Sequence, residues 1–328
     1  MVNLDSIKLK FDKEYLQKYD KNLFTKITTE KYNHKFVREQ ITKTGVLGLK
    51  GLTINSDNFL VEISGKVLKK NYKELININT IESVFDNINA SGIVTIDKKS
   101  IDNCFTMRCD VTKDLEINDV SDTIHDLQLY YSQDNFIIEK YKFDGVIFKA
   151  FRKTYKDRLC VYDKFQEVQK DKELLKVASW KDFQNKLRLE NNINSFSQLR
   201  KKFQVKGIND TIKYVKLIDI LQSKQNPVYD VFCNIYNLKY EQMELNLKTL
   251  MNKNEKLYLI EKRIGRQEII KELGFSPDRI REFLKSKLKG NYSSCLKEYK
   301  NLIVSMKSNN NTIELPSKIN VIKDMLKD

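Results

Sequence analysis

Proline is nearly missing from this sequence: three occur, at positions 227, 277 and 316, so the first two-thirds of the chain has no proline punctuation. Histidine is scarcer still, and His34 and His125 lie far apart in no paired motif; His125 reads as structural and His34 as solvent-exposed. The five cysteines, Cys104, Cys109, Cys160, Cys233 and Cys295, are odd in number and form no CxxC pair. That argues against a disulfide framework and a zinc finger, fits a reducing compartment, and leaves them as small buried hydrophobes. No run approaches eighteen apolar residues, so a membrane span is not expected. Residues 1–10 alternate polar and apolar side chains without a hydrophobic signal core, and the expected location is the cytoplasm. There is no internal repeat, and low complexity is confined to 307–311.

What the chain has in excess is positive charge. Lysine and arginine number 59 against 44 acids, a surplus of 59 − 44 = 15. Such a surplus costs stability by self-repulsion and commonly marks a polyanion partner, with nucleic acid first among the candidates. A membrane surface fits less well, because no helix pairs a basic face with a clean Trp/Leu/Phe face. An AT-biased coding sequence, which the many Asn, Ile and Lys residues also suggest, would give a lysine-rich surface too. The 328 residues, 41% hydrophobic and 31% charged, suffice for one large domain or two ordinary ones with a buried core.

Texture changes near residue 206. Before it, strand-like runs at 45–54, 59–64, 92–96, 104–112, 135–141, 145–150, 158–164 and 186–192 alternate with helical ones. Val120, Ile124, Leu127 and Tyr131 recur at helical spacing, a second helix is expected from Lys164 toward Trp180, and a third over 196–203 with Ser195 or Ser197 as cap. The expectation is an α+β domain over 1–205, built on a largely antiparallel sheet, followed by an all-helical region over 206–328. The helical stretches there are 211–222, 228–236, 240–251, 255–263 and the pair 266–273 and 276–288, joined at Gly274 with Ser276-Pro277 as a cap and first-turn signal. That pair reads either as a helix-turn-helix, with Arg279, Arg281, Lys285 and Lys287 partly free to face phosphates, or as an ordinary helical hairpin.

The period-2 rule makes three strands informative. In 104–112, Phe105, Met107, Cys109 and Val111 share one face and Thr106, Arg108, Asp110 and Thr112 the other. In 158–164, Cys160, Tyr162 and Lys164 oppose Leu159 and Val161. In 186–190, Lys186, Arg188 and Glu190 oppose Leu187 and Leu189. If these strands are neighbours, one face of the sheet carries Arg108, Asp110, Tyr162, Lys164, Arg188 and Glu190, with Glu167 leaning over it. Any one such strand is more simply a solvated face, but three together suit phosphodiester transfer. Hard cations such as Mg2+ or Mn2+ take oxygen ligands, here Asp110, Glu167 and Glu190. A tyrosine nucleophile stores bond energy in a phosphotyrosyl link. Its ordinary pKa is about 10, and Lys164 and Arg188 could lower that while holding phosphate oxygens. Phe151, Arg152, Lys153, Tyr155, Lys156 and Arg158 form a basic-aromatic stretch suited to stacking single-stranded bases, or simply an exposed turn.

Met107-Arg108-Cys109-Asp110-Val111-Thr112-Lys113-Asp114, then Leu159-Cys160-Val161-Tyr162-Asp163-Lys164 with Glu167, then Leu187-Arg188-Leu189-Glu190 resemble, in order, the "RxD", "hxhYDKxxE" and "hRhE" blocks of rolling-circle replication initiators. The closest groups are the Rep-trans plasmid initiators and the filamentous-phage gene II/X-type replication proteins. The match covers roughly 45–205, and the helical part contributes nothing to it. Each block alone is weakly specific; the ordered trio is more so. The resemblance implies a strand-nicking Tyr162 and metal-binding Asp110, Glu167 and Glu190. It further implies a 5′-phosphotyrosine intermediate on origin DNA and host helicase and polymerase as partners, with the C-terminal helices recognising the origin or joining a homodimer. The broader superfamily binds metal through a histidine pair that this chain lacks, so either carboxylates replace it or the chemistry differs. Tyrosine is abundant, with 16 residues, and Tyr155, Tyr130 and Tyr131 remain fallback nucleophiles. The rival expectation is a non-catalytic, sequence-specific DNA-binding initiator or repressor.

Overall fold

The computed structural model describes residues 1–31, 34–131, 135–150, 157–205, 214–236, 257–274, 276–288, 292–308 and 317–327. In chain order these form β1 (Leu4–Asp12), β2 (Leu16–Tyr19), β3 (Thr25–Lys31), β4 (His34–Ile41), β5 (Leu49–Ile54) and β6 (Asn58–Ser64), then a 3-10 segment over Gly65–Glu74, α1 (Ile81–Asn89), β7 (Val94–Ile96), β8 (Phe105–Glu116) and α2 (Val120–Leu129). There follow β9 (Phe136–Lys140), β10 (Val146–Ala150), β11 (Arg158–Asp163), α3 (Lys164–Lys170), α4 (Lys172–Leu175), β12 (Lys186–Ile193), α5 (Phe196–Lys202), β13 (Val215–Lys216), α6 (Leu217–Leu221), α7 (Pro227–Ile235), α8 (Leu257–Glu272), α9 (Pro277–Lys287), α10 (Ser293–Ser308) and α11 (Ser317–Lys327). The fold is α+β. Eleven strands pair antiparallel in the order β3-β4-β5-β6-β1-β8-β12-β11-β10-β9, with β13 against β8, and β2 and β7 pair separately.

One face of the sheet is apolar because alternate residues are. Leu4, Ile7, Leu9 and Phe11 of β1, Cys109 and Val111 of β8, Leu159 and Val161 of β11, and Leu187 and Leu189 of β12 lie in one buried core. That core also holds α1, through Ile81, Val84, Phe85 and Ile88, and α7, through Val228, Val231, Phe232 and Ile235. Phe11 stacks on Phe59 with ring centroids 4.7 Å apart.

Several expectations are corrected. The break at 205/206 does not separate two cores: Val215, Leu217, Ile220 and the α11 residues Ile319, Ile322 and Leu326 share the core of the sheet. Among the described residues after 206, α8, α9 and α10 gather around a small core of their own, built on Ile270, Ile280, Leu284, Tyr299 and Ile303. Of the helix expected at 211–222, the described part begins as β13, where Val215 pairs with Thr106, and turns helical only at Leu217. The helix expected from Lys164 toward Trp180 breaks at Asp171, which leaves helical φ/ψ to accept the Leu174 N–H and start α4. In β8 the alternation slips. Lys8 faces Arg108 but Leu9 faces Thr106, so a bulge at Met107 turns Thr106, fully buried, toward the core, opposite to its expected face. His125 is exposed on α2 rather than packed. The stretch expected at 240–251 lies outside the described residues.

Candidate active site

The second face of the sheet is polar, and β12 brings its rows together by lying between β8 and β11. Tyr162 is paired with Arg188 and Cys160 with Glu190 across one ladder, while Arg188 faces Asp114 and Asn192 faces Asp110 across the other. On the far side of β8, Ser6 of β1 faces Asp110, and a register shift between Leu4 and Ser6 bulges Asp5 onto the same face. A cavity of about 360 Å3 opens over these rows. Its acids are Asp5, Asp110, Glu167 and Glu190, its cations Lys50, Lys66, Arg108 and Arg158, and its phenols Tyr141 and Tyr162. The three blocks singled out in the sequence therefore do meet in space, around a phenol.

Tyr162 donates a 2.7 Å hydrogen bond to Oε1 of Glu190. Both are buried, Tyr162 at 3% exposure, and the tyrosine ring lies under Tyr141 and Phe143 at centroid distances of 5.4 and 6.3 Å. Burial, reinforced by Glu190 and Glu167, holds the phenol well above its ordinary pKa. Burial and Asp5 push Glu190 up to about 8, against the opposing pull of Arg188 and Lys164. Asp110 is raised too, chiefly by burial, and its Oδ1 accepts from the Asn192 amide at 2.8 Å. Asp110 has no ion pair among the described residues. Cys160, bonded through Sγ to the Asn192 carbonyl at 3.3 Å, is pushed by burial to about 12 and stays a thiol.

Lys164 and Arg188 do not reach the cavity surface, contrary to a role in gripping phosphate. Arg188 is wholly buried; its Nε and Nη2 donate to the two Asp114 oxygens, each at 2.6 Å, and Nη1 donates to Asp5 at 2.6 Å and Tyr72 at 3.2 Å. Lys164, equally buried, donates to the Tyr72 hydroxyl and to Glu167. Burial lowers its pKa, as does Arg188 nearby. Glu167 is further paired with Lys66 at 3.1 Å, and Lys66 with Asp171 at 2.7 Å. Burial alone would raise the pKa of Glu167, but Lys164 and Lys66 outweigh it and keep the side chain ionised. These groups form a closed ionic lattice beneath the 3-10 segment and α3, and they fix the positions of Asp5 and Glu167 rather than leaving cations free.

The remaining candidates separate by place. Arg108 and Arg158 line the cavity, and Arg108 donates to Glu62 at 3.0 Å. Arg152, Lys153 and Lys156, with Phe151 and Tyr155, lie outside the described residues. On α9, which Ser276 caps as its sequence suggested, Arg281 pairs with Asp278 at 2.8 Å and Lys285 with Glu282 at 2.9 Å. Arg279 is half-buried beside Tyr130 and Tyr131. None of these three borders the cavity. Sequence reasoning missed Asp5, Lys50, Lys66, Tyr72 and Tyr141. Asp5 had a signal: apolar residues at 4, 7, 9 and 11 alternate by two except for one odd step, which is what a bulge at 5–6 produces.

Among the described residues, no group of three or more His, Cys, Asp or Glu side chains is arranged to hold a metal ion. The donor chemistry nonetheless divides. Glu167 is neutralised by two lysines, whereas Asp110 and Glu190, two residues out of register across β8 and β12, are hard oxygen donors whose proton affinity is raised chiefly by burial. Asp110 and Glu190 both line the cavity, and Asp110 has no lysine or arginine ion pair among the described residues, whereas the Glu167 oxygens are taken up by Lys164 and Lys66. No helix among the described residues is long and apolar enough to cross a membrane. No protein-family model, curated protein or solved structure matches this chain.

Proposed function

We propose that this chain is a rolling-circle DNA replication initiator, a metal-dependent enzyme that nicks and rejoins one origin strand through Tyr162. The observation that carries this reading is the 2.7 Å hydrogen bond from Tyr162 to Glu190 inside a cavity lined by Asp110 and four cationic side chains. Arg108, Arg158 and Lys50 draw the strand's phosphates into that cavity, and the surplus of 15 positive charges favours its approach. Glu190 accepts the phenolic proton, the phenolate oxygen attacks phosphorus, and the P–O3′ bond breaks. A 5′-phosphotyrosyl ester forms, and Glu190 returns the proton to the departing 3′ oxygen, leaving a 3′-hydroxyl for a host polymerase to extend. The reverse sequence rejoins the strand. Burial raises the proton affinity of Glu190, which strengthens it as an acceptor of the phenolic proton. Asp110 and Glu190 would hold Mg2+ or Mn2+, and the ion would supply positive charge to a phosphate bound beside them. Arg188 and Lys164 act indirectly, by holding Asp5, Tyr72 and Glu167 in place. Origin recognition falls to the exposed α9 face with Arg281 and Lys285, and a host helicase would unwind from the nick.

The test is nicking of supercoiled origin plasmid with Mg2+ or Mn2+. Wild-type protein is expected to give open circles and a covalent protein–DNA adduct on denaturing gels, both lost in EDTA and in Tyr162→Phe. A Tyr162→Phe protein that nicks as well as wild type, or tight EDTA-insensitive origin binding with no adduct, would overturn the reading in favour of a non-catalytic DNA-binding initiator or repressor.

A further inference from the structure

The polar face of the sheet carries a small apolar island beside Tyr162. Ile147, Cys160 and Tyr162 are buried together in a cluster of their own, and among the described residues two half-buried rings, Tyr141 and Phe143, pack against them. Both rings come from the turn between β9 and β10. Tyr141 N–H donates to Gly145 O at 2.9 Å, and the two residues at the tip, Phe143 and Asp144, have φ of 61° and 54°. A turn with both central residues left-handed favours Asn-Gly or Asp-Gly; a bulky aromatic held there is strained, and such strain concentrates at ligand-binding positions. Gly145 shows how tightly the turn is pressed down, since a Cβ there would lie 2.6 Å from Cβ of Tyr162. Lys170 sits 4.8 Å over the Phe143 ring, putting a cation beside the aromatic pair. Tyr141 also lines the polar cavity, so it forms the border between the phosphate-handling pocket and the apolar island.

Resting on the function proposed above, we infer that the β9–β10 turn is a nucleobase platform, on which Tyr141, its ring packed against that of Tyr162, stacks an unpaired base of the DNA strand whose phosphodiester lies at Tyr162. A base is separated from its own backbone phosphate by one sugar, and the Tyr141 ring lies 5.4 Å from that of Tyr162. The ring is the working part of Tyr141: it borders the cavity next to Tyr162, whose hydroxyl already holds Glu190. A π-face accepts any base, so the platform selects unpaired over paired strand and not one sequence over another.

The experiment is fluorescence anisotropy in EDTA, so that no strand is cut, with fluorescein-labelled dT20 and an abasic 20-mer of the same charge. Loss of one stacked base is worth about 5- to 150-fold in affinity. Tyr141→Ala is expected to weaken dT20 by that factor while binding the abasic oligomer as wild type does, which doubles as a control for folding. Tyr141→Phe, which keeps the ring, is expected to restore dT20 binding. Equal losses on both oligomers, no loss on either, or a Tyr141→Phe protein as weak as the alanine variant overturns the platform. A wild-type protein that binds neither oligomer overturns the DNA reading itself, before any substitution is made.

Discussion

Replacing Glu190 by glutamine should change the pH dependence of stability in a direction that the site dictates. Burial and Asp5 raise the carboxyl from its ordinary 4.5 to about 8 in the folded protein. The native state therefore holds a proton that the unfolded chain releases across that interval, and stability falls as pH rises through it. Below about pH 4.5 the wild type bears no penalty; above about 8 it bears all of it. At about 1.36 kcal/mol per pH unit, the interval between 4.5 and 8 corresponds to a loss on the order of 5 kcal/mol. Glutamine has the shape of the protonated acid and keeps an oxygen to accept the Tyr162 hydrogen bond, but it cannot ionise. Urea unfolding in EDTA should give Glu190→Gln and wild type similar stabilities at pH 5, with the variant ahead by several kcal/mol at pH 9. The same variant should lose nicking, having no carboxylate to take the phenolic proton. Stability differences that stay flat from pH 5 to pH 9 would refute the assignment of a proton to this buried group.

Arg188→Met should cost about 3–5 kcal/mol in urea unfolding, because it strands Asp114 and Asp5, both bonded to the guanidinium at 2.6 Å, beside an apolar side chain; a loss under about 1 kcal/mol would show that the lattice is not buried as described. Gly145→Ala should destabilise by about 1–3 kcal/mol and slow nicking, since the added Cβ meets Cβ of Tyr162 at 2.6 Å and the Val161 carbonyl at 2.7 Å. Unchanged melting temperature and unchanged nicking would mean that the turn is not seated on Tyr162.

The faces of β11 and β12 were legible because an unbroken period of two leaves no choice: once Leu159, Val161, Leu187 and Leu189 go to the core, Tyr162, Arg188 and Glu190 must share the other side. What alternation cannot say is whether that other side meets water or protein. Arg188 and Lys164 have the pattern of a solvated face, yet the 3-10 segment over Gly65–Glu74 and α3 cover them, and that cover is a tertiary event written in no local period. Bulges hid the rest. One at Asp5 broke the pattern of β1 and concealed the strand that supplies a central acid, and one in β8 reversed the side on which Thr106 lies. The boundary near 206 reflected a real shift to helical composition, but composition does not reveal packing partners, and α7 returns to the sheet through a hydrogen bond from Asn191 to Pro227 O.

The charges on the working face divide into two populations with opposite consequences. Arg188 with Asp114 and Asp5, Lys164 with Glu167, and Lys66 with Asp171 balance one another inside the protein. Burying them costs desolvation that their attraction only partly offsets, but removing any one leaves an unpaired charge, so the lattice resists rearrangement. Glu190, 4.0 Å from Nη1 of Arg188, lies at the edge of that balance, and Asp110 has no ion pair among the described residues. Burial raises the proton affinity of both, and Asp5, whose own carboxyl is kept ionised by Lys164 and Arg188 against the effect of burial, raises it further. The lattice thus holds an ionised Asp5 beside two buried carboxyls of raised proton affinity, one of which accepts the hydrogen bond of Tyr162. In the free protein burial favours the protonated form of Glu190, the form whose shape the Glu190→Gln side chain imitates.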